Sequence, residues 1–258
     1  MKQKRKTKII ATIGPASKSP FMLNQLVKVG ADIFRFNLKY NTPDGHGLII
    51  DKARKEAKKQ GKSVQILIDI PSSSFLEGVD LALKKKVDYV ALSHVKQADE
   101  IVEFRRVAVK AGFTAKVIAK IETEEALSNF NSILDEADAI MVARGDLGET
   151  IPIEKVPFVQ KEIIMSCIKT DKMVTVATEM LLSMVSNKEP TRAEVSDVAN
   201  AVLEGSDAVM LSEETAIGKN PLGAVEAMNN IIHETESWEK LGHVDILSNN
   251  GTDFKFGV

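Results

Sequence analysis

The chain has 258 residues, with 34 Lys and Arg against 36 Asp and Glu, for a formal charge of -2. No strongly basic face is available, which excludes the electrostatic footprint of a nucleic-acid binder. No apolar run approaches the ~18–20 residues of a membrane span, and the basic start, residues 1–6, leads into a β-like run without a cleavage site, so neither a membrane partner nor a signal peptide is expected. Cys167 is the single cysteine. No internal disulfide can form, which fits a reducing, cytoplasmic setting. Aromatic residues make up only 5%, so the core is aliphatic, as suits parallel strands covered on both faces.

Taken in chain order, short runs rich in Val, Ile, Leu, Met and Ala alternate with charged stretches of helical period. A strand is predicted over 8–14, then a helix over 20–29 with Leu23, Leu26 and Val27 on one stripe. A strand over 32–37 precedes a helix over 46–60 that stops at Gly61. A strand over 64–69 runs into the odd connection Pro71-Ser72-Ser73-Ser74. Strands over 89–93 and 116–121 flank a helix over 98–111 that ends at Gly112. A helix over 123–134, a strand over 139–143, a helix over 153–169 and a strand over 173–177 follow. A helix over 191–203, a strand over 208–211 and a helix over 221–236 complete the series. Gly after a helix and Pro in its first turn are usual stops and starts. Eight strand-then-helix units in this length predict a (β/α)8 TIM barrel over 1–240, with 241–258 a tail of uncertain order. The competing open doubly wound sheet wants a Gly-rich loop after its first strand, and Thr12-Ile13-Gly14-Pro15 is not one.

In such a barrel the reacting groups lie at the C-terminal strand ends. Those positions hold Arg35, Asn37 and Lys39; Asp69; Ser93; Lys120 and Glu122; Arg144, Gly145 and Asp146; Thr178 and Glu179; and Ser212, Glu213 and Glu214. Lys120 and Glu122 face the same side by strand alternation, as for an anion held through a metal, or simply as an internal ion pair. Gly145 and Asp146 open a short helix whose free N–H groups could take carboxylate or phosphate oxygens, although Asp146 could equally be only an N-cap. Glu122 and Asp146 together offer two hard oxygen ligands, the usual protein share of a Mg²⁺ site. Thr178 either meets a substrate oxygen or caps a turn. His94 has no catalytic partner pattern, His46, His233 and His243 read as solvated, and one Cys with scattered His makes zinc improbable.

Four runs now stand out: Lys120-Ile121-Glu122; Val142-Ala143-Arg144-Gly145-Asp146-Leu147-Gly148; Ala177-Thr178-Glu179-Met180-Leu181; and Pro190-Thr191-Arg192-Ala193-Glu194-Val195-Ser196-Asp197. With Ala11-Thr12-Ile13-Gly14-Pro15-Ala16-Ser17 at the start, the chain resembles the pyruvate kinase family from about residue 6 to 236. The resemblance implies a barrel that binds Mg²⁺ (or Mn²⁺) and phosphoenolpyruvate or pyruvate. It implies that Glu122 and Asp146 ligate the divalent ion and that Lys120 stabilises charge on the phosphoryl group and the enolate. It further implies that N–H groups near Gly145 and Asp146 hold the substrate carboxylate, that Thr178 lies beside the enolpyruvate methylene, that Arg35 meets phosphate and that Ser93 lines the pocket.

The departures from that family are specific. Strand three passes through Pro71-Ser72-Ser73-Ser74 into the next helix, where the family inserts a lid domain, and the family's C-terminal regulatory domain is not expected either. The family's Asp-Thr-Lys-Gly-Pro-Glu run is Asp69-Ile70-Pro71-Ser72-Ser73-Ser74 here, and its Arg-x-Asn-x-Ser-His-Gly run is Arg35-Phe36-Asn37-Leu38-Lys39-Tyr40-Asn41. Two residues that help bind K⁺ thereby become Lys39 and Ile70. The Lys39 ammonium either replaces K⁺ near Asn37 and Asp69 or points to solvent. Three functions are compatible with this pattern: Mg²⁺-dependent chemistry on phosphoenolpyruvate, pyruvate or a related 2-keto acid with an unknown acceptor; a minimal pyruvate kinase forming ATP; or a non-catalytic binding or regulatory module. The oligomeric state is open, and a homo-oligomer is compatible with the sequence.

Overall fold

A computed structural model describes residues 5–71, 75–110 and 112–240. Eight strands, β1 (Lys8–Thr12), β2 (Ile33–Asn37), β3 (Gln65–Ile70), β4 (Tyr89–Leu92), β5 (Lys116–Ile121), β6 (Ala139–Ala143), β7 (Met173–Ala177) and β8 (Ala208–Leu211), close in sequence order into a barrel. Every neighbouring pair, including β1 with β8, is parallel. The expected barrel is therefore present, and the open sheet is excluded by the β1–β8 pairing. Among the described residues no helix is long and apolar enough to cross a membrane.

The helices are α1 (Pro20–Val29), α2 (Pro43–Lys59), α3 (Phe75–Lys85), α4 (Ala98–Lys110), α5 (Glu124–Ser128), α6 (Phe130–Glu136), α7 (Arg144–Thr150), α8 (Val156–Lys169), α9 (Arg192–Leu203), α10 (Glu213–Ala216) and α11 (Pro221–Trp238). Several bounds differ from the sequence reading for identifiable reasons. The second helix begins at Pro43 rather than residue 46, because Thr42 caps it by accepting from the Gly45 N–H and Pro occupies the first turn. The stretch 123–134 is two helices that meet at Asn129. The 153–169 helix starts as a 3₁₀ turn over Ile153–Lys155. Strand one stops at Thr12, two residues short of Gly14. Helix α3 has no counterpart among the stretches picked out by period. Residues 72–74, Ala111 and the 241–258 tail lie outside the described residues.

Strand alternation divides the apolar residues into two cores. Ile10, Ile33, Leu67, Ile118, Met141 and Met210 fill the barrel interior. Phe34, Phe36, Ile66, Ile68, Val117 and Val142 point outward beneath the helices. Helix α4 docks through Phe104, fully buried and edge-on to both Phe75 and Phe113. At the N-terminal end of the barrel one device recurs four times. Asp32, Asp88, Asp138 and Asp207 each stand just before an even-numbered strand, and each carboxylate accepts the N–H of the second residue of the preceding odd strand, from Ile9, Ile66, Val117 and Val174. These charge-assisted bonds lock neighbouring strands in register at the closed end. The C-terminal end is left to side chains that touch one another across strands.

Candidate functional site

Inward-facing positions of β2, β3 and β5 continue the interior layers upward with charge in place of hydrocarbon. Arg35, Asp69 and Lys120 occupy positions on β2, β3 and β5, with Ser93 and Glu122 one step beyond β4 and β5. Asp69 is 1% exposed, Glu122 1%, and Arg35 and Lys120 7% each. Bare charges at that depth would be costly, so each has partners. Arg35 donates Nε and Nη2 to Asp69 Oδ2 at 3.0 and 2.7 Å, and Nη1 to Thr12 Oγ1 at 3.0 Å. Lys120 Nζ lies 3.2 Å from Asp69 Oδ2 and 2.8 Å from Glu122 Oε1, and donates to Ser93 Oγ at 3.0 Å. Ser93 passes its own proton to Asp69 Oδ1 at 2.9 Å. Two cations and two carboxylates thus form one closed, neutral network.

Protonation follows from that geometry. Burial by itself would raise the Asp69 carboxyl, but the Lys120 and Arg35 charges outweigh burial and hold it down to about 2. Burial works against the Lys120 ammonium, yet Asp69 and Glu122 prevail and keep its pKa above the ordinary lysine value. Lys120 is therefore a fixed cation at neutral pH.

Above the network opens a cavity of about 1150 Å³ at the C-terminal mouth. Of the ten residues selected from the sequence (Arg35, Asn37, Lys39, Asp69, Ser93, Lys120, Glu122, Gly145, Asp146 and Thr178), all border this cavity except Asp69, which is sealed beneath Arg35 and Lys120. Asp146 is exposed in the first turn of α7, so it reaches the cavity from solvent, whereas Glu122 reaches it from the protein interior. Lys39 is exposed at the rim; its backbone N–H donates to Asn37 Oδ1 at 3.0 Å, and its ammonium makes no pairing among the described residues. Asp69 takes its cations from Arg35 and Lys120.

The turn after β7 is tied to the turn after β6. Thr178 Oγ1 accepts the Gly145 N–H at 2.7 Å and donates to Ala177 O at 2.6 Å. Thr178 therefore clamps a neighbouring loop instead of capping its own. A Cβ added at Gly145 would meet Thr178 Oγ1 at 3.5 Å, an ordinary contact. Gly145→Ala is accordingly expected to fold with unchanged or slightly raised Tm, since Ala exceeds Gly in helix preference by up to ~1 kcal/mol. The same methyl stands beside the N–H groups that would receive a carboxylate, so affinity for oxalate with Mg²⁺, measured calorimetrically, should fall by at least about tenfold, ~1.4 kcal/mol. Unchanged affinity would place the carboxylate elsewhere.

Three residues are placed differently from the sequence reading, or were given no role there. His94 is bound to the site: its N–H donates to Glu122 Oε2, and its Nδ1 lies 3.2 Å from the same oxygen. Its left-handed backbone (φ 56°) aims both groups at Glu122, which no side-chain spacing announces. His46 is not solvated but 4% exposed, with Nε2 2.6 Å from Tyr40 O and its ring edge-on to Phe36. Burial lowers its pKa. Arg144, named at its strand end but given no role there, is buried and reaches across to the β7 turn. Of the carboxylates after β8, Glu214 is structural: it accepts from the Ser212 and Leu181 N–H groups, at 2.7 and 3.1 Å.

The donor set suits a hard divalent ion. Glu122 and Asp146 border the same cavity, and among the described residues no three His, Cys, Asp or Glu side chains converge as a complete cage. Two carboxylates with substrate and water oxygens completing the shell is the usual Mg²⁺ arrangement.

Comparison with known proteins yields one consistent result. A model of the pyruvate kinase barrel domain matches residues 4–75 and 72–225. The pyruvate kinase of Geobacillus stearothermophilus is 33% identical over an alignment of 348 positions that covers 95% of this chain and 59% of that protein. That of Thermococcus litoralis is 32% identical, covering 92% of this chain and 71% of the relative; that of Dictyostelium discoideum is 30% identical, covering 90% and 66%. The chain thus spans about three fifths of the length of the first of these relatives. The 348 aligned positions exceed its 258 residues, so that relative carries internal residues with no counterpart here. The two matched pieces meet at 72–75, the connection between β3 and α3.

Proposed function

The chain belongs to the pyruvate kinase family through its barrel domain, and on that premise we propose that its mouth carries out Mg²⁺-dependent (or Mn²⁺-dependent) chemistry on phosphoenolpyruvate, pyruvate or a related 2-keto acid, toward an acceptor the site does not name. The observation that carries this reading is Lys120: a permanent cation flanked by Glu122 and Asp69 at the floor of a roomy cavity. Phosphoryl transfer and enolisation both demand positioned positive charge more than covalent participation.

In this reading Glu122 and Asp146 hold the divalent ion, which when bound supplies further positive charge to substrate oxygens. Lys120 stabilises negative charge developing on the enol or phosphoryl oxygens. Ser93, bonded to both Lys120 and Asp69, fixes the ammonium's direction. Gly145 and Asp146 N–H groups orient the carboxylate, for which the Gly145 N–H must exchange the Thr178 hydroxyl for substrate. Thr178 holds its hydroxyl beside the reacting carbon, where a proton is delivered or removed. Arg35, tied down by Asp69 and Thr12, presents its edge to phosphate. The short β3–α3 connection, where the family carries its lid, is the reason an ATP-forming reaction is the weaker reading: water exclusion over a transferred phosphoryl group depends on such closure.

The test follows pyruvate methyl protons in D₂O by NMR, and phosphoenolpyruvate consumption with and without ADP. Mg²⁺-dependent exchange without ADP-dependent ATP formation is expected. Stoichiometric ATP formation would establish the minimal kinase instead, and failure to bind oxalate with any divalent ion would leave only a non-catalytic module. Lys39, exposed at the cavity rim with its ammonium unpaired among the described residues, is the candidate replacement for K⁺. Exchange rates in KCl and NaCl should therefore agree within about twofold, ~0.4 kcal/mol. Strong K⁺ activation would reject that role for Lys39.

A further inference from the structure

Arg144 is buried at the junction of β6 and α7, yet its guanidinium bonds groups on three other elements. Nε and Nη2 donate to Thr178 O at 3.2 and 2.8 Å, and Nη2 also to Glu179 O at 3.1 Å. Nη1 donates to Asp197 Oδ1 on α9 at 2.8 Å and to Gln160 Oε1 on α8 at 3.4 Å. The two carbonyls it satisfies belong to the only adjacent pair of non-glycine residues with left-handed backbone among the described residues, Thr178 at φ 67° and Glu179 at φ 54°. Residues with a Cβ avoid that region unless the surroundings over-determine it. Nothing in the local sequence Ala177-Thr178-Glu179-Met180 favours it, so the determinant lies elsewhere.

We infer that Arg144 is a positioning residue for Thr178: its fork holds the Thr178–Glu179 backbone in the left-handed pair and thereby aims the Thr178 hydroxyl at Gly145 and into the cavity. Two ties act on one residue from opposite sides, the guanidinium on its carbonyl and the Gly145 N–H on its hydroxyl. Both originate from consecutive residues at the start of α7, and the guanidinium tie persists when substrate takes the Gly145 N–H, so the loop that offers substrate-binding N–H groups and the residue beside the reacting carbon stay joined through Arg144. A single ammonium cannot reproduce this. The planar fork reaches two carbonyls and a carboxylate at once, and Lys offers one point charge. Asp197 and Gln160 anchor the fork's far side, which extends the support of the site outward to α8 and α9.

The inference rests on the proposed pyruvate-class chemistry for its catalytic consequence but not for its structural content, and the experiment separates the two. Amide hydrogen exchange of a peptide spanning 177–182 should quicken by about tenfold or more in Arg144→Lys, with the β5 peptide 116–121 unchanged, as expected for local opening. In the same variant, affinity for oxalate with Mn²⁺ should stay within about threefold while pyruvate methyl-proton exchange falls by ~10²-fold, the usual scale for a displaced catalytic donor. Added guanidinium should restore part of that rate in Arg144→Ala and none in Arg144→Lys. Unchanged protection over 177–182, or an unchanged proton-exchange rate in an active protein, overturns the inference. Wild-type protein inert toward pyruvate overturns the proposed function alone, and the amide data still decide the role of Arg144. If Arg144→Ala does not fold, Asp197→Asn, which loosens only the anchor, must show the same pattern at reduced size, and its failure to do so is equally fatal.

Discussion

Replacing Lys120 with Met is expected to reduce Mg²⁺-dependent pyruvate proton exchange by at least ~10³-fold, since a fixed cation at the site of developing charge is the largest single contribution the mouth offers. The same substitution removes the partner of Glu122 Oε1 and one of two cations on Asp69. Breaking a buried pair on one side costs roughly 3–5 kcal/mol, because the remaining charge stays buried. Stability and activity must therefore be read apart. In the double variant Lys120→Met with Glu122→Gln, the stranded carboxylate is neutral and Asp69 still has Arg35. Most of the lost stability should return in a urea titration, and none of the activity. A single variant that keeps more than about a tenth of the wild-type exchange rate would remove Lys120 from the chemistry.

Asp69 should contribute a defined part of the acid dependence of stability. Its carboxyl is held down to about 2 in the fold, against burial, by Lys120 and Arg35, whereas an unfolded Asp titrates near 3.8. The stability it contributes is complete above the unfolded value, falls as pH drops below about 4 and is gone once pH passes below 2; over that window the loss amounts to about 2 kcal/mol. Asp69→Asn removes this dependence and leaves Arg35 and Lys120 facing each other with only Glu122 between the strands. It should lower stability by roughly 3–5 kcal/mol at pH 7, and urea midpoints between pH 2 and 5 should lose a corresponding part of their slope. A slope identical to that of the wild-type protein would show that other carboxylates govern acid unfolding.

Much of this architecture was written in local pattern. Eight apolar runs spaced by charged helical stretches define the strands, strand alternation puts Lys120 and Glu122 on one side, and Arg35 and Asp69 were picked out as strand-end residues. The helix over 75–85 was expected after the run of serines but given no bounds by its period, and the repeated Asp before β2, β4, β6 and β8 needed a search for fourfold periodicity. The motifs around Lys120, Gly145 and Thr178 were legible as strings, and nine of the ten selected residues border the cavity.

What the sequence by itself determined was which residues stand at the strand ends and that two of them, Lys120 and Glu122, share a side, because a period of two is a property of one strand alone. Which of those residues meet was decided by the closed barrel: Lys120 and Asp69 are 51 residues apart, and only the stagger of β3, β4 and β5 brings ammonium, hydroxyl and carboxylate within 3.3 Å. The same holds for His94, turned onto Glu122 by a left-handed backbone, for His46, buried by the packing of α2 against Phe36, and for Arg144, whose partners lie in the turn after β7 and on α8 and α9. Each depends on distances between elements, and these are set by tertiary packing, not by neighbours along the chain.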